Sequence, residues 1–124
     1  MNTSSCLFCK IVSGEIASRK IYEDDHIFAF HDIAPQAPVH FLLVPKTHLA
    51  SLYETHAQAQ ATLGHLLAKA GELAQMQGLN DGFRLIINTG RVGGQEVYHL
   101  HLHILGSETP LGPMLSTRAR AVST

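Results

Sequence analysis

The chain has 124 residues, a formal net charge of −1, 45% hydrophobic and 15% charged residues, which fits one domain with a modest core and excludes a disordered chain. So small a charge removes any general electrostatic case for nucleic acid or an acidic membrane surface. No apolar run approaches the roughly 18 residues of a membrane span, and the short polar start lacks the basic and apolar regions of a secretion signal, so a cytoplasmic protein is expected.

In chain order, Cys6-Leu7-Phe8-Cys9 comes first and holds the only two cysteines. Without a secretion signal this spacing suggests a metal clip or a redox pair, with plain unpaired thiols the bland alternative. Zinc takes four ligands, so a clip would need two more. His48 and His99 are candidates, though spacing does not choose them. Residues 7–13 read as a short helix ended by Gly14. Residues 20–23 and 26–31 read as strands joined by Asp24-Asp25, and Pro35 and Pro38 mark a loop. The apolar run Phe41-Leu42-Leu43-Val44 within 39–45 suits a strand covered on both faces.

One long helix is predicted over residues 55–77. Its stripe of Leu63, Leu66, Leu67, Ala70, Leu73 and Met76 has helical spacing and reads as a core face. Gly78 is its stop. His56 and His65 fall on it with no chemistry assigned. Residues 83–88 read as a strand, 89–95 as a Gly-rich loop, and 97–105 as the last strand. Antiparallel strands with one long helix laid across them make an α+β pattern. The tail after Gly106, with Pro110, Gly112 and Pro113, reads as irregular until its end.

The last strand carries His99-Leu100-His101-Leu102-His103-Ile104-Leu105. Period-two alternation sends Leu100, Leu102 and Ile104 into the core and the three histidines to the other face, with neighbouring rings roughly 6–7 Å apart. Imidazole can be a nucleophile, a proton donor or a metal ligand, and three in a row are poorly explained by packing. The preceding Gly93-Gly94-Gln95 stretch reads, by itself, as a turn whose glycines leave backbone N–H groups open to close approach.

These residues resemble the histidine triad (HIT) family, whose signature alternates three histidines with apolar residues. Residues 30–40, Val44-Pro45-Lys46-Thr47-His48, and Asn88 with Gly93-Gly94-Gln95-Glu96-Val97-Tyr98 resemble its Hint branch, and Pro110-Leu111-Gly112-Pro113-Met114-Leu115 the bacterial members. The resemblance covers about residues 6–107 of a single 1–124 domain, with 108–124 as a tail. It implies a five-stranded antiparallel sheet with one long and one short helix, paired as a homodimer through the long helix and a strand. It also implies a nucleoside phosphoramidase that cleaves the P–N bond between a purine nucleoside monophosphate and an amine, lysine included.

By that resemblance His101 is the nucleophile, its other ring nitrogen donating to a backbone carbonyl. His103 bonds a phosphate oxygen, and His40 is a fourth histidine that positions or relays a proton. Asp32 accepts from the ribose, and Phe8, Phe30 and Ile33 line the base pocket. Asn88 lies near phosphate or ribose, and Gly94, Gln95 and Glu96 belong to the phosphate cradle, with the Gly94 and Glu96 N–H groups as donors. Zinc is implied on Cys6, Cys9, His48 and His99, a closed and therefore structural set that the reaction itself does not need.

One position departs from the eukaryotic pattern, where serine often stands in place of Glu96. A carboxylate does not favour an anionic phosphate, so Glu96 is expected to face the leaving group and favour cationic amines. Three other readings compete: a metalloenzyme with triad histidines on an open metal, a dinucleoside polyphosphate hydrolase of the same family, and a nucleotide-binding scaffold dimer.

Overall fold

Residues 5–115 are described by the computed structural model. The first helix, α1, spans Leu7–Ser13 because its own sequence caps both ends. Cys6 Sγ accepts the Cys9 backbone N–H at 3.3 Å, and Gly14, at φ 85°, donates its N–H to the Ile11 carbonyl. Glycine takes that left-handed cap without a steric cost. Phe8 and Ile11, three residues apart, form the buried face of α1.

Five antiparallel strands follow: β1 (Lys20–Glu23), β2 (Ile27–His31), β3 (Val39–Pro45), β4 (Arg84–Ile86) and β5 (Leu102–Gly106), in the spatial order β1-β2-β3-β5-β4. The β1–β2 turn is tied by Asp24, whose Oδ1 accepts from the backbone N–H groups of His26 and Ile27 at 2.8 and 3.0 Å. This local bond holds His26 in the turn, so β2 begins one residue later than the sequence suggested.

The sheet is covered on both faces, as the apolar run of β3 implied. Ile27, Ala29, Phe41, Leu43, Leu102 and Ile104 point to one side and pack with Leu66, Ala70 and Leu73 of the second helix, α2 (Gln60–Met76). Phe28, Phe30, Leu42 and Val44 point to the other and pack with Phe8 and Ile11 of α1. Leu66 and Leu73 have no exposed surface; truncating either to alanine costs about 2–5 kcal/mol.

Four further expectations are corrected. The long helix starts at Gln60, not 55, because two 3-10 turns, Leu52–Glu54 and Ala57–Ala59, precede it. Ser51 caps the first of them on Tyr53 N–H. His56 precedes the second turn and so is not on the helix. Leu67 and Met76 are 56% and 61% exposed: the apolar stripe is wider than the sheet can cover. The strands of 83–88 and 97–105 shrink to β4 and β5, so His99 and His101 lie in irregular chain before the ladder begins.

Among the described residues no helix is long and apolar enough to cross a membrane. Residues 107–115 are irregular, as expected, and the Arg84 guanidinium donates to the Gly112 carbonyl there. The end of the tail lies outside the described residues.

Candidate active site

Parity along β3 and β5 brings the polar groups together on the α1 face of the sheet. His40 and Leu42 share that face, and Leu42 is the cross-strand partner of His103. His101 and His103 stand with ring centroids 4.9 Å apart, closer than the rise along a strand predicts, because His101 precedes the ladder and its ring turns toward its neighbour. The rings border a cleft of about 720 Å³ between α1, the end of β2 and the loop before the triad.

Hydrogen bonds fix the proton positions on the rings. A carbonyl only accepts, so His101 carries a proton at Nδ1, which donates to the His99 carbonyl at 2.7 Å. Its Nε2 keeps the lone pair. A backbone N–H only donates, so His40 Nδ1 accepts from Gln36 at 3.0 Å and the His40 proton sits at Nε2. That proton points to His103 Nδ1 at 3.0 Å, with Asp32 Oδ2 at 3.4 Å. His103 therefore accepts at Nδ1 and carries its own donor at Nε2. Burial lowers the His101 pKa, against the opposing pull of its carbonyl bond and of Asp32. His103 is pushed down to about 4 by burial, then by His101 and His40.

Of the expected site residues, Phe8, Phe30, Asp32, Ile33, His40, Asn88, Gly94, Glu96, His101 and His103 border the cleft. Phe8 and Phe30 are core and wall at once: they are 5% and 4% exposed and meet edge to face at 5.5 Å. Ile33 is fully exposed at the rim. Asp32 also caps its own loop, with Oδ1 accepting the Ala34 N–H at 2.8 Å.

Gln95 does not border the cleft. Its buried side chain donates to the carbonyls of Ala50 and Val97 at 2.7 and 3.0 Å and accepts the Gly90 N–H at 2.9 Å. It staples the loop rather than facing a ligand. The Gly94 N–H, expected to be a phosphate donor, is spent on the Arg91 carbonyl at 3.1 Å. The glycine pair is required first by the loop itself. A Cβ at Gly93 would sit 2.5 Å from the Thr89 carbonyl oxygen, and Gly94 has φ 80°. Of the two expected donors, only the Glu96 N–H makes no hydrogen bond among the described residues.

The sequence reading missed Ile11, Ile16, Ser18, His31, Leu42 and Val97, which also border the cleft. Leu42 was findable, being two residues from His40 in one strand. Ile11, one turn of α1 after Phe8, His31, between Phe30 and Asp32, and Val97, after Glu96, adjoin residues already singled out, whereas Ile16 and Ser18 are brought in by tertiary packing.

A second polar cluster lies behind the triad. One ligand atom each from Cys6, Cys9, His48 and His99 fall within 4.8 Å of one another. Cys6 and Cys9 Sγ lie 3.3 and 3.5 Å from His99 Nδ1, and Cys9 Sγ lies 3.3 Å from His48 Nδ1. Tetrahedral zinc, with bonds of about 2.0–2.3 Å, spaces such sulfur and nitrogen ligands about 3.5 Å apart. His99 Nε2–H donates to the Pro45 carbonyl at 2.7 Å, which turns the Nδ1 lone pair to the thiols. This outer bond is typical of a metal-ligating histidine. Burial and the neighbouring Cys6 push the Cys9 thiol up to about 11, so it keeps its proton at neutral pH unless a cation displaces it. The donor set fits zinc.

Asp32, His40 and His103 also cluster tightly enough to suggest a metal, but the chemistry opposes it. A metal on His40 Nε2 would move the proton to Nδ1, where it would meet the Gln36 N–H head on. That trio is built to hold protons, which weakens the catalytic-metal reading.

The HIT domain family profile matches residues 13–109. The chain belongs to the HIT family. It is 48% identical over 103 residues to protein HitA of Neisseria gonorrhoeae, covering 83% of this chain and 96% of that one. It is 46% identical over 111 residues to the purine nucleoside phosphoramidase of Escherichia coli K12, covering 89% and 92%. A crystal structure of a HIT family hydrolase from Legionella pneumophila superposes with a TM-score of 0.82 at 47% identity, covering 85% of this chain and 95% of that one. The five-stranded antiparallel sheet with a long and a short helix is that fold, and the chain stands among relatives that are hydrolases.

Proposed function

We propose that this HIT-family chain is a nucleotide hydrolase of the phosphoramidase kind, cleaving the P–N bond of purine nucleoside 5′-phosphoramidates through a nucleotidyl-histidine. The observation that carries this reading is the His101 Nδ1–H bond to the His99 carbonyl at 2.7 Å, which leaves an unprotonated Nε2 on a ring that borders the cleft. The similarity to the E. coli phosphoramidase supports the substrate class.

In this account the His101 Nε2 lone pair forms a bond to phosphorus while the P–N bond breaks, and the departing amine takes a proton from solvent in the open cleft, a proton the attacking water later returns. Splitting the hydrolysis into two displacements lowers each barrier. As Nε2 bonds phosphorus the ring gains positive charge, and the Nδ1–H bond to the carbonyl strengthens in step. His103 Nε2–H and the Glu96 N–H hold phosphoryl oxygens. The Asp32, His40 and His103 chain offers a path for the proton exchanged with amine and water. Water then attacks phosphorus, the P–Nε2 bond breaks, and the nucleoside monophosphate leaves. Phe8 and Phe30 form the apolar wall for the base, with Ile33 at its rim, and Asp32 and Asn88 stand where ribose hydroxyls and phosphate fall.

Zinc on Cys6, Cys9, His48 and His99 has a structural part in this reading: it ties α1 to the loop after β3 and to the first triad histidine, and takes no step in the reaction. A homodimer also belongs to it. Gly64, Leu67 and Gly71 share one uncovered face of α2, and β4 is an edge strand. Sedimentation equilibrium giving a monomer at micromolar concentration would remove that part.

The test is release of AMP from an adenosine 5′-phosphoramidate by wild type and His101→Asn. Turnover that collapses by about 10³-fold or more in the folded variant supports the reading. Absence of turnover by wild type, with hydrolysis of dinucleoside polyphosphates instead, would replace it with the other family chemistry.

A further inference from the structure

The Cys6, Cys9, His48 and His99 cluster and the cleft are joined through two residues, Phe8 and His99, in a way that a purely local clip would not require. Phe8 lies inside Cys6-Leu7-Phe8-Cys9, between the two sulfur ligands. Its ring meets His101 edge-on at 5.0 Å, His99 at 6.0 Å and Phe30 at 5.5 Å. His99 turns its Nδ1 to the thiols, while its backbone carbonyl accepts the Nδ1–H of His101. Each face of the centre thus leads to a group that borders the cleft.

The sulfurs meet His48 and His99 at 3.3–3.5 Å, and as a hydrogen-bond donor a thiol is weak. An ion held by both sulfurs and both rings replaces these contacts with four coordinate bonds. It pins the first turn of α1, hence Phe8, and it pins His99, hence the carbonyl that orients His101. A base packed on Phe8 orders the same turn from the other side.

We propose that the Cys6, Cys9, His48 and His99 centre and the nucleotide cleft are thermodynamically coupled through Phe8 and the His99 carbonyl, so that a metal ion tightens purine-nucleotide binding and the nucleotide tightens the metal. This rests on the nucleotide reading of the cleft above. Linkage makes the two factors equal. The ligand acts only through contacts that differ between the pinned and unpinned states, and Phe8 supplies such a contact.

The experiment uses the full chain loaded with zinc. Zinc affinity is measured by competition with a chromogenic chelator, with and without saturating AMP. AMP affinity is measured by calorimetry on the loaded and zinc-free protein. Coupling of the usual size predicts that AMP tightens zinc by roughly 5- to 150-fold and that zinc tightens AMP by the same factor. Phe8→Leu keeps all four ligands and shrinks the factor toward one. AMP that binds the loaded protein without changing zinc affinity overturns the coupling and leaves the nucleotide reading standing. AMP that binds neither form overturns both. If circular dichroism shows the zinc-free chain unfolded, any ligand of the folded state would tighten zinc, and Phe8→Leu decides: an undiminished factor overturns the proposal.

Discussion

His101 Nδ1 lies 2.7 Å from the carbonyl oxygen of His99, two residues earlier in the same chain. This bond exists because β5 begins only at Leu102. In a ladder running from 97 the His99 carbonyl would be committed to a neighbouring strand. The shortened strand frees it to accept from the ring, and that choice of partner decides which nitrogen of His101 keeps its lone pair.

The proton positions give the reaction an unusual pH profile. A protonated His103 would set an Nδ1–H against the Nε2–H of His40, and burial, then His101 and His40, already push its pKa down to about 4. An ordinary histidine protonates near 6.5. Burial also lowers His101, whose free Nε2 the reaction needs, so the rate should hold as pH falls through 6.5 and decline below it. Measuring kcat/KM from pH 4.5 to 8, corrected for spontaneous hydrolysis, checks this; half-loss near 6.5 would contradict it.

The proposed function predicts that Glu96 sets the preference among leaving amines. The carboxylates bordering the cleft are Asp32 and Glu96, and no lysine or arginine borders it among the described residues. Asp32 is engaged by the Ala34 N–H and by His40. A cation about 4 Å from the Glu96 carboxylate in water gains about 1 kcal/mol, close to five-fold. The ratio of kcat/KM for a lysyl over a neutral-amine phosphoramidate should fall by about that factor in Glu96→Gln. An unchanged ratio would remove Glu96 from specificity.

The Gln95 staple carries stability rather than chemistry. Gln95→Ala strands the Gly90 N–H and the Ala50 carbonyl, which its side chain now satisfies. An unsatisfied buried group costs about 1–3 kcal/mol, so urea unfolding should show a loss of that order. A variant as stable as wild type would show that water replaces the side chain without cost.

Asp24 makes the fold sensitive to acid. Burial by itself would raise its pKa, but bonds from His65, the His26 N–H, Tyr22 and the Ile27 N–H outweigh this and hold the carboxyl well below the usual range. With the folded pKa depressed, the stabilisation is full above about pH 4, where the unfolded carboxyl is ionised, and drains away as pH falls toward the folded value. Thermal unfolding of wild type should weaken below pH 4. Asp24→Asn should flatten that dependence and cost about 1–3 kcal/mol at pH 7; equal slopes for both proteins would contradict this.

Much of the fold was legible because periodicity and punctuation agree. Gly14 ends α1 where a left-handed cap was expected, and the apolar run of β3 is buried on both faces as its composition implied. The failures have local causes. Leu67 and Met76 follow helical spacing yet stay exposed, because spacing does not reveal how wide a face the sheet covers. The triad's alternation told its two faces correctly but not its strand length. In the site, Gln95 and the Gly94 N–H were assigned to the ligand, whereas the loop consumes both in its own bonds. Such satisfaction is decided by groups distant in sequence, as with Gln95 and Ala50.

The most direct test of the central claim is to mix the protein with an adenosine 5′-phosphoramidate, quench within the first turnover and locate any adduct by peptide mass mapping. The account predicts an adenylyl group on His101, lost on longer incubation and absent in His101→Asn. Rapid single-turnover release of AMP with no adduct on His101, or an adduct on His103 instead, would contradict it.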